Sequence, residues 1–157
     1  MMTFAANHHG SLVILGDRGV LISGPAGSGK TTLALGLLTH GAASGRLARL
    51  VSDDQVFLKA AGGRLIGEAP SCIEGLAEAR GFGPAPIRHE RRAVIDLLVQ
   101  LVPAEAAPRF HEDETANLEG IELPCLRLAE RDTERALFAI AARLAFPPFA
   151  GAPHAEC

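Results

Sequence analysis

The sequence predicts an α/β fold, a single domain with a mixed sheet built around a phosphate-binding loop, and three observations carry that expectation. First, Gly24-Pro25-Ala26-Gly27-Ser28-Gly29-Lys30-Thr31 fits G-x-x-x-x-G-K-[ST] and stands between a strand-like apolar run, residues 20–23, and a helix-like one beginning at Thr32. Second, the strand-like runs 11–15 and 20–23 flank Gly16-Asp17-Arg18-Gly19, a hairpin turn signal. The strand entering the loop therefore has an antiparallel neighbour, since parallel neighbours need a long crossover. Third, 157 residues at 48% hydrophobic can bury one ordinary core and not two.

The remaining elements follow in order. The loop helix should stop near Thr39-His40-Gly41, where glycine can leave the helix. Residues 47–51 form a strand candidate ending in Ser52-Asp53-Asp54, and residues 56–60 and 64–66, joined through Gly62-Gly63, form a second hairpin. Residues 70–83 mix turn and helix signals ahead of Pro84 and Pro86, and are expected to be a loop near the site. Residues 94–102 are nearly all apolar; Asp96 and Gln100, four apart, favour a helix, while the branched residues and Pro103 allow a buried strand. Residues 105–120 are polar and acidic, predicting a surface loop before a short strand at 123–128. Asp132 or Thr133 can cap a last helix in which Ala136, Leu137, Ile140, Ala141 and Leu144 share one face, ended by Pro147-Pro148. Residues 147–157 are expected to be a frayed tail.

Composition narrows the function. A net charge of −3 and 4% aromatic residues, all Phe, argue against a nucleic-acid surface. No apolar run approaches the roughly 20 residues that span a bilayer, and no basic-then-apolar leader opens the chain, so the expectation is a cytoplasmic protein that engages no membrane. Cys72, Cys125 and Cys157 form no C-x-x-C pair and read as ordinary thiols.

The phosphate loop needs glycines because its backbone must curl through unusual dihedrals and bring several N–H groups against an anion. Lys30 then supplies a point charge, Thr31 a hydroxyl for a metal ion, and the helix start, with Thr32, its positive dipole end. Phosphoryl transfer also needs groups to hold the metal and orient the attacking hydroxyl. Asp53 and Asp54 follow a strand only 23 residues after Lys30, room for one helix, one turn and one strand. Neighbouring strand residues point to opposite faces, so the two carboxylates can serve different ends.

Four blocks in order, His9-Gly10-Ser11-Leu12-Val13, Gly24 to Thr31, Leu50-Val51-Ser52-Asp53-Asp54 and Glu78-Ala79-Arg80-Gly81-Phe82-Gly83, resemble the catalytic domain of the HPr kinase/phosphorylase family. They span residues 9–83, the expected nucleotide and catalytic core. The resemblance implies a mixed-sheet core shared with phosphoenolpyruvate carboxykinase, and an ATP- and Mg²⁺-dependent serine kinase acting on an HPr-like phosphocarrier of the phosphotransferase system, with phosphorylase activity in reverse. It implies that Asp53 takes the serine proton, that Asp54 is its metal-side neighbour, that Thr31 and Glu78 hold Mg²⁺, and that Arg80 supports charge near the phosphates. His9 takes the place of the family's histidine beside the catalytic aspartate, and Arg109 that of an arginine stabilising the transferring phosphoryl group, alongside Lys30. The family also implies a hexameric homo-oligomer. Its longer members carry further segments, so the chain resembles a short, catalytic-domain form. Two other readings compete: a small-metabolite P-loop kinase, for which only the Arg88 to Arg92 stretch could form an arginine lid, and a nucleotide-sensing module without turnover.

Overall fold

A computed structural model describes residues 6–151; residues 1–5 and 152–157, with His154 and Cys157 of the expected tail, lie outside the described residues. The chain runs β1 (Ala6–Leu15), β2 (Arg18–Ser23), α1 (Lys30–Ala43), β3 (Ala48–Ser52), β4 (Gln55–Ala61), β5 (Arg64–Glu68), β6 (Leu76–Ala79), β7 (Gly83–Pro86), β8 (Arg92–Ile95), β9 (Leu97–Val102), β10 (Thr115–Leu118), β11 (Ile121–Ala129) and α2 (Thr133–Leu144). The main sheet is ordered β10-β11-β9-β2-β1-β4-β5-β8, with β3 also paired to β1; β6 and β7 form a separate hairpin.

The sheet is mixed, as the hairpin argument requires. β2 lies antiparallel to β1 through Val13↔Val20 and parallel to β9 through Val20↔Leu97. β9 in turn runs parallel to β11. Alternation along these strands splits the core in two. Val13, Val20, Ile22 and Val99 face one layer, where α1 and α2 bring Leu33, Leu37 and Ile140. Leu12, Leu21 and Leu98 face the other, filled by Val56, Leu58, Leu65 and Ile95 from the curling half of the sheet. That curl brings the end of β8 back onto β2: Asp96 receives the Gly19 N–H at 2.9 Å and its own N–H donates to the Gly19 carbonyl at 2.8 Å. A Cβ on Gly19 would stand 1.9 Å from the Val94 carbonyl oxygen.

These contacts resolve the segment whose periodicity could not decide. Asp96 breaks the apolar run into two strands, β8 and β9, because its side chain is committed to the Gly19 backbone. Two expected loops contain strands instead. Residues 70–83 include β6, and residues 105–120 include β10, whose short ladder to β11 is invisible to composition. The loop helix also runs past Gly41. Gly41 is buried inside α1 because a Cβ there would lie 3.1 Å from Ala48 Cβ, and the left-handed residue after the helix is Gly45, φ 71°. No helix among the described residues is long and apolar enough to cross a membrane.

His8, on the half of β1 that pairs with β4, carries a pH prediction. Burial, and less strongly the adjacent His9, hold its imidazole below the ordinary value of 6.5, with Glu119 opposing. Its Nε2 is buried without a hydrogen-bond partner among the described residues. The charged form is disfavoured in the folded state, so the unfolded chain binds the extra proton. Stability is therefore retained above pH 6.5 and lost as pH falls from there through the lower folded value. Urea midpoints at pH 7.5 and pH 5 should show a smaller acid-induced drop for His8→Gln than for the parent chain; equal drops would refute the assignment.

Candidate functional site

β2 delivers the chain directly into the phosphate loop. Gly27 and Gly29 adopt φ of 78° and 94°, the left-handed region that side chains resist, and Gly29 is the N-cap of α1. Gly24 must lack a Cβ because one would lie 2.7 Å from Ser28 Oγ and 3.1 Å from Leu101 Cβ. Lys30 is buried, and its ammonium donates to the Gly24 and Pro25 carbonyls at 2.9 and 3.0 Å. Ser28 Oγ is buried with no partner among the described residues. A curled loop, an ammonium, the free amides of a helix start and an orphaned hydroxyl form a donor set that fits a polyphosphate.

The carboxylate pair sits where the β1 ladder is interrupted. β3 and β4 run in line along one edge of β1, pairing Ser52 with Leu12 and Gln55 with His9, and the β3 register slips by one between Leu12 and Val13. Between them the chain makes a three-residue turn closed by the Gln55 N–H on the Asp53 carbonyl at 2.9 Å, with Asp54 at its centre, φ 72°. This γ-turn geometry is strained for a non-glycine residue, at a cost on the order of 1–3 kcal/mol, and such strain concentrates at functional sites. The Gly10 N–H fixes the turn by donating to the Asp54 carbonyl at 3.0 Å.

The two carboxylates face different surroundings. Asp53 is 8% exposed. Its Oδ1 accepts from Ser11 Oγ at 2.9 Å and from Thr31 Oγ1 at 2.8 Å, and its Oδ2 accepts the Glu78 N–H at 3.1 Å. Asp54, with its side chain 62% exposed, meets among the described residues only the imidazole of His9, Oδ1 to Nε2 2.6 Å. The contacts thus give the two carboxylates different partners. Asp53 is the loop-side carboxylate, tied to the hydroxyl that would hold a metal, and Asp54 is the accessible one beside His9. The reason is geometric: the γ-turn swings Asp54 outward and leaves Asp53 facing the loop.

The hairpin β6–β7 stands across from this pair. Its strand β6 offers the Glu78 amide to Asp53, while the Glu78 and Arg80 side chains are exposed and make no hydrogen bond or ion pair among the described residues. Among the described residues no group of three or more His, Cys, Asp or Glu side chains forms a metal cage. The donor set instead suits Mg²⁺, which is held by one or two carboxylates, a hydroxyl and substrate phosphates.

Arg109 is not brought to the loop. It lines a cleft with Arg18, Arg46 and Phe146, and its guanidinium lies 5.5 Å from the Phe110 ring centre. Two groups that sequence reasoning did not single out are brought in instead. Ser11 bridges the pair, accepting the Asp54 N–H at 3.2 Å while donating to Asp53. Arg131 donates its N–H to the Ser28 carbonyl at 3.0 Å from a left-handed φ of 57°. Its signal was topological: it follows a strand parallel to β9, and ligands gather at the carboxyl ends of parallel strands.

A family model described as the HPr Serine kinase C-terminal domain matches residues 1–136. Among similar proteins, an HPr kinase/phosphorylase of Brevibacillus brevis is 34% identical over 137 residues, covering 78% of this chain and 42% of its own. One of Geobacter sulfurreducens is 31% identical over 135 residues, covering 78% and 40%. One of Clostridium beijerinckii is 43% identical over 75 residues, covering 48% and 23%. The chain therefore spans less than half the length of these curated relatives. The solved structure of the Hpr(Ser) kinase/phosphatase from Coxiella burnetii superposes with a TM-score of 0.75 at 24% identity, covering 89% of this chain and 97% of that one, a likeness in fold.

Proposed function

Since the chain belongs to the HPr serine kinase C-terminal domain family, we propose that it is a Mg²⁺- and ATP-dependent protein-serine kinase whose substrate is an HPr-like phosphocarrier, with the phosphorylase reaction as its reverse. The observation that carries this reading is the placement of a carboxylate pair beside the phosphate loop, one member bonded to Thr31 and the other open to solvent.

The loop amides and Lys30 bind the ATP phosphates and set the γ-phosphoryl in line. Thr31 and Asp53 would hold Mg²⁺, with the free Glu78 carboxylate reaching in from the β6–β7 hairpin; the ion supplies charge neutralisation between the phosphates. Arg80, on the same hairpin, supports charge on the phosphate oxygens. Asp54 accepts the proton of the carrier serine, and returns it to the leaving oxygen in reverse. His9 positions that carboxylate through its 2.6 Å contact. Asp53 is already engaged by Ser11, Thr31 and the Glu78 N–H, which leaves Asp54 as the member of the pair open to an incoming hydroxyl. A cytoplasmic setting and the hexameric assembly implied by the family resemblance belong to the same proposal.

The test mixes the purified chain, ATP and Mg²⁺ with an HPr-type carrier and reads intact masses. One phosphate added to a carrier serine supports the reading. Phosphate appearing only on a small metabolite, or ATP binding without transfer, overturns it in favour of a metabolite kinase or a nucleotide sensor.

A further inference from the structure

Five of the chain's arginines, Arg18, Arg46, Arg109, Arg127 and Arg143, line one cleft of 870 Å³ between β11 and the second half of α2. The carboxylates among the lining residues are Asp17 and Asp113, so the lining carries a surplus of three positive charges in a chain whose net charge is −3. Asp17 is paired with Arg18 at 3.6 Å and Asp113 with His111 at 3.7 Å. Arg46, Arg109 and Arg143 make no ion pair among the described residues, and Arg46 rests on the Phe146 ring, 5.1 Å from its centre. Arg127 Nε lies 3.0 Å from Glu114, yet its buried N–H is not directed at that carboxylate and remains without a hydrogen bond among the described residues.

Like charges repel, and a fold with no use for them would disperse them over its surface rather than gather them around one concavity. The floor of the cleft is apolar, formed by Leu126, Leu128 and Phe146. Its volume falls within the range of small-molecule sites, about 300–1,000 Å³. Guanidinium groups recognise carboxylate and phosphate through paired N–H donors, and an apolar floor beneath them selects an anion with a hydrocarbon or ring body. No residue of the phosphate loop or of the Asp53–Asp54 turn lines the cleft, and its Gly16 to Arg18 rim lies at the other end of β2 from Gly24. At about 3.3 Å per residue, that strand is roughly 20 Å long.

We propose that this cleft is a second ligand site, separate from the phosphate loop, that binds a small organic anion with an apolar body through Arg46, Arg143 and Arg127. The proposal does not depend on the kinase reading.

Fluorescence titration of the full chain with 1-naphthyl phosphate and with naphthalene-2,6-dicarboxylate tests it, the two probes distinguishing phosphate from carboxylate head groups. Saturable binding of either below about 1 mM is expected, weakened about tenfold by Arg143→Gln and by Arg46→Gln, and retained in Lys30→Met. Arg143→Gln alters an exposed side chain, and an unchanged thermal transition verifies its fold. The neutral analogue 1-naphthol should bind at least tenfold more weakly. The proposal is overturned if neither anion binds, if 1-naphthol binds as well as they do, if the arginine variants bind like the parent chain, or if Lys30→Met abolishes binding.

Discussion

Asp54→Asn is expected to lower the rate of phosphoryl transfer to a carrier serine by about 10²- to 10⁴-fold, the range typical of a general base, while leaving ATP affinity within about threefold. Asparagine suits the test. It is nearly isosteric and, like aspartate, tolerates positive φ, so it preserves the turn centred at φ 72° while removing the charge. Asp53→Asn should behave differently. Its carboxylate collects donors from Ser11, Thr31 and Glu78, and an amide can accept on one side only. That variant should lose about 1–3 kcal/mol of stability and bind ATP with Mg²⁺ more weakly. Single-turnover kinetics, nucleotide titrations and urea unfolding of both variants separate the roles. Should Asp53→Asn stop transfer without affecting binding while Asp54→Asn stays within threefold of the parent, the proton belongs to Asp53, as the family resemblance implies, and the assignment here falls.

Gly19→Ala is expected to be the most damaging single methyl addition in the sheet, at about 3 kcal/mol or more. The new Cβ would meet backbone, the Val94 carbonyl at 1.9 Å, and no rotamer change can relieve it. Strand β8 would have to move off β2, breaking the paired bonds between Gly19 and Asp96 and opening the layer that holds Leu12, Leu65 and Ile95. Gly36→Ala is the matched control. Gly36 lies inside α1 with 3.4 Å of room to Leu137 Cδ1, so alanine there should gain about 0.5–1 kcal/mol of stability from helix propensity. Denaturant midpoints read both; a Gly19→Ala chain as stable as the parent would show that the closure of β8 on β2 contributes little.

The phosphate loop, its flanking strand and helix, the β1–β2 and β4–β5 hairpins and the last helix were legible in the sequence because their signals are local: glycine spacing, turn residues, apolar periodicity. What was not legible depends on partners distant in the chain. Asp96 splits an apolar run because of Gly19, 77 residues earlier. Strand β10 exists because Thr115 to Leu118 find β11. Both members of the Asp53–Asp54 pair were visible as candidates, but which one faces the loop is set by a turn and a register slip against β1, and neither leaves a mark on composition. Arg109 stands outside the four matching blocks of residues 9–83, and its surroundings are set by the packing of residues 108–113 beside α2 and β11.

The self-contacts of Lys30 have a consequence for how variants are interpreted. With its protons resting on two carbonyls of its own loop, this side chain is both a tether that keeps the cradle in shape and the charge that greets an incoming anion. Removing it deletes the two together, so a weakened nucleotide affinity in such a variant overstates the electrostatic attraction. Lysine acetylation would have the same double effect, loosening the scaffold while it silences the ammonium.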